Sequence, residues 1–133
     1  MRRVLIAGFL YFLVVFAGGF VLGAIRTLFL EPQIGEVAAV TAELPFMLWI
    51  SWAACGFAVR RLGVDGGVSA RLAMGAAAFA LLTAAEIALS SIAFGRAFSA
   101  YVDALAAPAG ILGFAGQTLF GLIPTMQLFA AKR

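Results

Sequence analysis

The stretch VLIAGFLYFLVVFAGGFVLGAI, residues 4–25, runs for 22 residues without a charge. A helix that crosses the hydrocarbon core of a bilayer needs about 20 residues of this kind. Arg2 and Arg3 precede the run as they would precede the apolar region of a secretory signal. The run is longer than that region usually is, and no clear small-residue cleavage pattern follows it. It reads as a retained membrane anchor, and that reading sets the solvent for the rest of the chain.

Working outward, three further apolar segments have the same length. They are residues 38–59, which contain LPFMLWISWAACGFAV, then residues 72–94, then residues 104–131. The fourth is long and carries Pro108 and Pro124, so it is expected to tilt, to kink, or to begin later. Membrane-barrel strands would alternate in roughly 10-residue units, and no such alternation is present. Over all 133 residues, 65% are hydrophobic and 11% charged. A soluble domain is nearer half apolar and a quarter charged. A small soluble globule leaves much of its surface in water and could not hide this excess. The expected fold is therefore all-α. It is one domain, residues 1–133, formed as a membrane bundle of four transmembrane helices.

Orientation follows from the lysines and arginines. With both termini cytoplasmic, seven lie inside (Arg2, Arg3, Arg60, Arg61, Arg71, Lys132, Arg133) and two outside, Arg26 and Arg96. The connections are short. RRLGVDGGVSAR makes the inner loop, with an Asp-Gly-Gly turn at residues 65–67. Glu31-Pro32 and Gly35 are expected to break helix in the first outer loop. Tyr101 and Asp103 are expected at headgroup depth in the second. No internal repeat is visible.

Ionisable groups inside a span cost about 2.5–3.5 kcal/mol on insertion scales and usually face protein. Here they are Glu43 in the second span, Glu86 in the third and Arg26 at the end of the first, with Gln117 in the fourth. Counting along the spans puts the three charges in one depth zone, in the outer half. Helical spacing groups Gly19, Gly23 and Arg26 on one stripe, and Glu43, Met47, Ser51 and Ala54 on another. It does the same for Gly75, Thr83, Glu86 and Ser90, and for Gly113, Gln117, Gly121 and Pro124. Small residues let helices approach closely, so Gly19, Gly23, Gly75, Gly113 and Gly121 mark the expected packing faces. Each stripe carries its helix's polar residue. The expected site is thus an inward cluster of Arg26 with Glu43 and Glu86, closed by Gln117, with Arg26 the partner of Glu86. Two carboxylates against one guanidinium leave a formal charge of −1. Either one glutamate holds a proton, or a cation or water completes the site. The plainer alternative is that the set fixes helix orientation and register.

The chain has no histidine and no asparagine, and its one cysteine, Cys55, lies in an apolar run. Without histidine, Ser90, Ser91 and Cys55 lack the base that nucleophilic catalysis needs. Met47, Met74 and Met126 do not fall at a copper-ligand spacing. Trp49 and Trp52 lie within the second span and read as packing or lipid-facing bulk. No enzymatic activity, metal or cofactor is expected. The net charge of +3 sits beside apolar spans and does not form a nucleic-acid surface. The expected surroundings are the lipid bilayer and, beyond it, other membrane subunits or a second copy in a homodimer.

Over about its first 50 residues the chain resembles a set of small bacterial four-span membrane proteins with no established activity. The positions that carry the resemblance are Leu22, Gly23 and Arg26, then Pro32, Gly35 and Glu36, then Glu43, Pro45 and Met47. The resemblance implies a multi-pass protein of a bacterial inner membrane and no reaction. Two functions remain from the residues. One is a non-enzymatic accessory or interaction subunit of a membrane complex. The other is a small proton- or cation-coupled transporter or channel using Glu43, Glu86 and Arg26.

Overall fold

The computed structural model describes residues 1–64, 66–93 and 95–132, and these contain helices and no strand. Helix α1 (Arg2–Ile25) passes through a π-helical turn (Arg26–Leu30) into α2 (Glu31–Ile34). Helices α3 (Glu36–Leu62), α4 (Val68–Ile92), α5 (Phe98–Ala106) and α6 (Pro108–Ala131) follow. The rod Arg2–Ile34 and the helices α3, α4 and α6 are each long and apolar enough to cross a membrane. The chain is thus a multi-pass helical bundle.

Several boundaries differ from the sequence expectation; the third span begins at Val68, four residues before residue 72. The first span does not end near residue 25, and Glu31-Pro32 does not break it. Pro32 stands in the first turn of α2, where a missing N–H has no helical partner to lose. The wider π turn leads into it, with the Glu31 N–H bonded to the Arg26 carbonyl five residues back. The break comes at Gly35, whose φ of 88° is open to glycine at little cost.

The fourth span begins at Pro108 rather than at residue 104. Proline disfavours helical geometry in the residue before it, and Ala107 is extended, with φ −71° and ψ 155°. Residues 104–106 belong instead to the separate helix α5. The second span runs on through Arg60 and Arg61 and stops at Gly63, a left-handed cap with φ 60°. The expected turn at residues 65–67 includes Asp65, which lies outside the described residues. So do Phe94, at the expected end of the third span, and Arg133.

The four long helices form a ring in which α1 touches α3 and α4, and α6 touches the same two. Glycine sets the spacing at four of these crossings. A Cβ at Gly75 would collide with the Gly121 carbonyl oxygen, so α4 and α6 are in backbone contact. One at Gly8 would sit 2.9 Å from the Met74 carbonyl oxygen and 3.3 Å from Ala77 Cβ, where α1 meets α4. Gly19 receives Met47 of α3, and Gly116 receives Leu44. Gly23 and Gly113 are not contact points, contrary to expectation. Near Gly23 there is only Arg26 Nη2 of the same rod, at 3.8 Å, and within 4 Å of Gly113 there is nothing.

The core fills one half of the bundle. It is built by Val4, Ala7, Tyr11, Phe12 and Val15 of α1, Ala54, Cys55 and Ala58 of α3, Met74, Ala78 and Leu82 of α4, and Phe120 and Ile123 of α6. These positions lie toward the end that carries both chain termini. At that end Arg3 approaches Gly63. Large apolar side chains such as Phe9, Phe20, Trp49 and Ile111 point outward and are exposed. On a soluble protein they would form one aggregating surface; in a bilayer they meet acyl chains.

Pro124 lies inside α6 and has no N–H to give the carbonyl of Phe120, one turn back. The buried Tyr11 hydroxyl of α1 donates to that carbonyl at 2.7 Å. The Tyr11 ring stacks on the Phe120 ring at 4.4 Å. In a hydrocarbon environment an orphan backbone acceptor costs several kcal/mol. The tyrosine therefore repairs what the proline removes, and it fills the middle of the ring between α1 and α6.

Candidate functional site

Above Tyr11 and Phe120 the bundle is hollow. A cavity of about 790 Å³ opens toward the end opposite the termini. Its wall begins at Val15, Ser51, Leu82 and Phe120, the level at which the core stops. Farther up it includes Arg26, Glu31, Glu36, Glu43, Glu86, Arg96 and Gln117. The sequence expectation that Arg26, Glu43, Glu86 and Gln117 share one zone matches this wall. Gly23 and Gly113 line it too, which is why no neighbour packs on Gly113.

The polar groups do not form the single cluster read from the sequence. They form two. In the first, Arg26 Nε lies 2.6 Å from Glu43 Oε2, and Arg26 Nη1 lies 3.2 Å from Glu31 Oε1. The Nε–H is not aligned for a hydrogen bond to Glu43, so that contact is an ion pair. The three side chains are 26%, 16% and 27% exposed, which makes this a partly desolvated network and not a surface bridge.

In the second, Glu86 Oε2 accepts from Gln117 Nε2 at 2.5 Å and from the Tyr101 hydroxyl at a longer 3.4 Å. Both donors are neutral. Among the described residues no arginine or lysine lies within ion-pair distance of Glu86. The expected Arg26–Glu86 pair is not made.

The physical reason is competition. Arg26 has two carboxylates at hand, one on its own rod and one on the adjoining α3, and its fork is occupied by them. Glu86 lies six residues before the end of α4, about 9 Å along the axis. There the close α4–α6 packing offers Gln117 first.

Two participants escaped the sequence reading. Glu31 follows Arg26 by five residues, the spacing of a π turn, and a search at helical intervals of three and four passes over it. Tyr101 was expected at the headgroups. It reaches Glu86 because α5 turns back against α6, with the Ala104 carbonyl and Leu105 packed where a Gly110 side chain would be. No periodicity in the sequence signals that contact. Burial raises the Tyr101 phenol above its ordinary value, and the Glu86 charge beside it adds to the rise.

Two other polar side chains in the spans bond to backbone carbonyls. Ser51 donates to the Met47 carbonyl at 2.7 Å, and Gln127 donates to the Trp52 carbonyl at 2.6 Å. Among the described residues, Gln117 Oε1 in the site is buried and has no donor, and the Thr83 and Thr125 hydroxyls elsewhere in the spans are buried without a partner.

Comparison with known proteins gives no match to a family model, to a curated protein or to a solved structure.

Proposed function

We propose that this chain is a small cation- or proton-coupled membrane transporter that binds one positive charge at Glu86. A single observation carries the reading. Glu86 faces a cavity within a span, and the donors around it are neutral. An ionised carboxylate there lacks a counter-charge, and such a group is costly at membrane depth. A proton or an entering cation removes the cost. Arg26, shared by Glu43 and Glu31, shapes the mouth of the same cavity.

The lysine and arginine bias supports cytoplasmic termini and a mouth toward the outside of a bacterial inner membrane. Tyr11 and Phe120 would then be the barrier that release to the other side has to pass. The test is cation or proton flux into liposomes containing the full chain. Glu86→Gln keeps the shape and removes the charge, and it is expected to lower flux at least tenfold. Flux equal to that of the parent would end the proposal.

A second reading is an accessory subunit of a membrane complex. Its support is the strongly exposed aromatic face of α3, where Phe46 is 63% and Trp49 72% exposed. Purification from native membranes in mild detergent separates the two. A stoichiometric partner lost on Trp49→Ala favours the subunit.

A further inference from the structure

We infer that the cavity takes a monovalent organic amine, its ammonium on Glu86 and Gln117 and its apolar body against the upper walls; the inference rests on the cation reading of Glu86. Four observations fix the class. First, the charge: among the described residues Glu86 is the carboxylate of this wall whose hydrogen-bond partners are all neutral, while Glu43 and Glu31 already share Arg26. At the level of Gln117 the carboxylate has neutral donors, and one positive charge on the ligand matches its one negative charge.

Second, the donors: Gln117 Oε1 is left without a donor beside the carboxylate. An N–H-bearing ammonium has several donors, enough for both residues. A quaternary ammonium has none, and it would leave the acceptors unpaired at a cost of roughly 1–3 kcal/mol each.

Third, the volume: about 790 Å³ is far more than an inorganic ion fills, and it lies within the roughly 300–1,000 Å³ of organic ligand pockets. A hard divalent cation needs six or more oxygen ligands. Among the described residues no three acidic, histidine or cysteine side chains are grouped to supply them.

Fourth, the walls: Phe16, Leu44, Met47, Leu48 and Leu89 line the same space. They suit an aliphatic or aryl body, and a small inorganic cation would leave them facing water.

The experiment measures binding to the full chain in lipid nanodiscs, with empty nanodiscs as the blank for partition. The probes are 2-phenylethylammonium, its N-trimethyl analogue and sodium. Saturable binding of the primary amine is expected, at least tenfold tighter than of the trimethyl analogue. Glu86→Gln is expected to weaken the primary amine at least tenfold, and Asp103→Asn, exposed and outside the cavity, less than twofold. Comparing the two amines on the parent chain needs no variant to fold. Equal affinity for both amines overturns the assignment, and so does unchanged binding by Glu86→Gln. If the parent binds no amine while Glu86→Gln still abolishes cation flux, the amine class is wrong and the cation site stands. If neither binding nor flux depends on Glu86, both fall.

Discussion

Of the chain's two tyrosines, Tyr11 packs beneath the cavity against Phe120 and Tyr101 donates to Glu86 of its wall, and each is testable alone. Tyr11→Phe keeps the ring stack on Phe120 and removes the donor to the carbonyl that Pro124 leaves open. A buried acceptor without a partner costs about 1–3 kcal/mol. Unfolding of reconstituted protein in mixed micelles is expected to show a loss of that size. No change would mean that the carbonyl finds another donor.

The same variant isolates Tyr101 for titration by absorbance at 295 nm. Its phenol is raised by burial and then by Glu86, so the folded protein holds the proton more tightly than the unfolded chain. The stability this represents is complete below the ordinary tyrosine value near 10. It falls as pH rises through the higher folded value. Tyr101 in Tyr11→Phe is therefore expected to ionise above free tyrosine. The additional substitution Glu86→Gln is expected to reduce the shift, and burial is expected to preserve part of it.

Among the helices, two glycines that look alike in sequence behave differently. Gly75 and Gly113 both fall on small-residue stripes, yet Gly75 is pressed on the Gly121 carbonyl and Gly113 faces open space. Gly75→Leu forces α4 and α6 apart. Overpacking of this kind costs typically 1–3 kcal/mol, occasionally more. Gly113→Ala meets no atom and gains helix propensity, about 1 kcal/mol in the opposite direction. Thermal unfolding of the two variants in one detergent decides the matter. A Gly113→Ala variant as damaged as Gly75→Leu would show that α6 packs where the cavity is drawn. The stripe identified small residues, but which of them touches a neighbour depends on helix rotation and tilt, and both follow from the packing of the other three spans.

Across the whole molecule, a solid half and a hollow half imply one-sided access. Cys55 is fully buried just below the Tyr11 and Phe120 floor, and Gly113 lines the cavity above it. A membrane-impermeant maleimide added from the mouth is expected to leave Cys55 unmodified in the resting protein. In a Cys55→Ala background, Gly113→Cys is expected to label from that side and not from the other. Labelling of Cys55 at a comparable rate would show a continuous water path through the bundle.

Much of this protein was legible without coordinates. Hydropathy is a local sum over roughly 20 residues, so four spans could be counted from the chain alone. That Arg26, Glu43 and Glu86 lie at one level could be expected from counting along them, and all three line one cavity. Tertiary structure decided the rest. It set the ring order of the helices, the pairing of Arg26 with Glu31 and Glu43, the donation of Gln117 and Tyr101 to Glu86, and the Tyr11 donor beneath Pro124. A hydrogen bond forms or fails over a few tenths of an ångström. Distances of that size are fixed by how whole helices rotate and lean on one another, and no window along the sequence contains them.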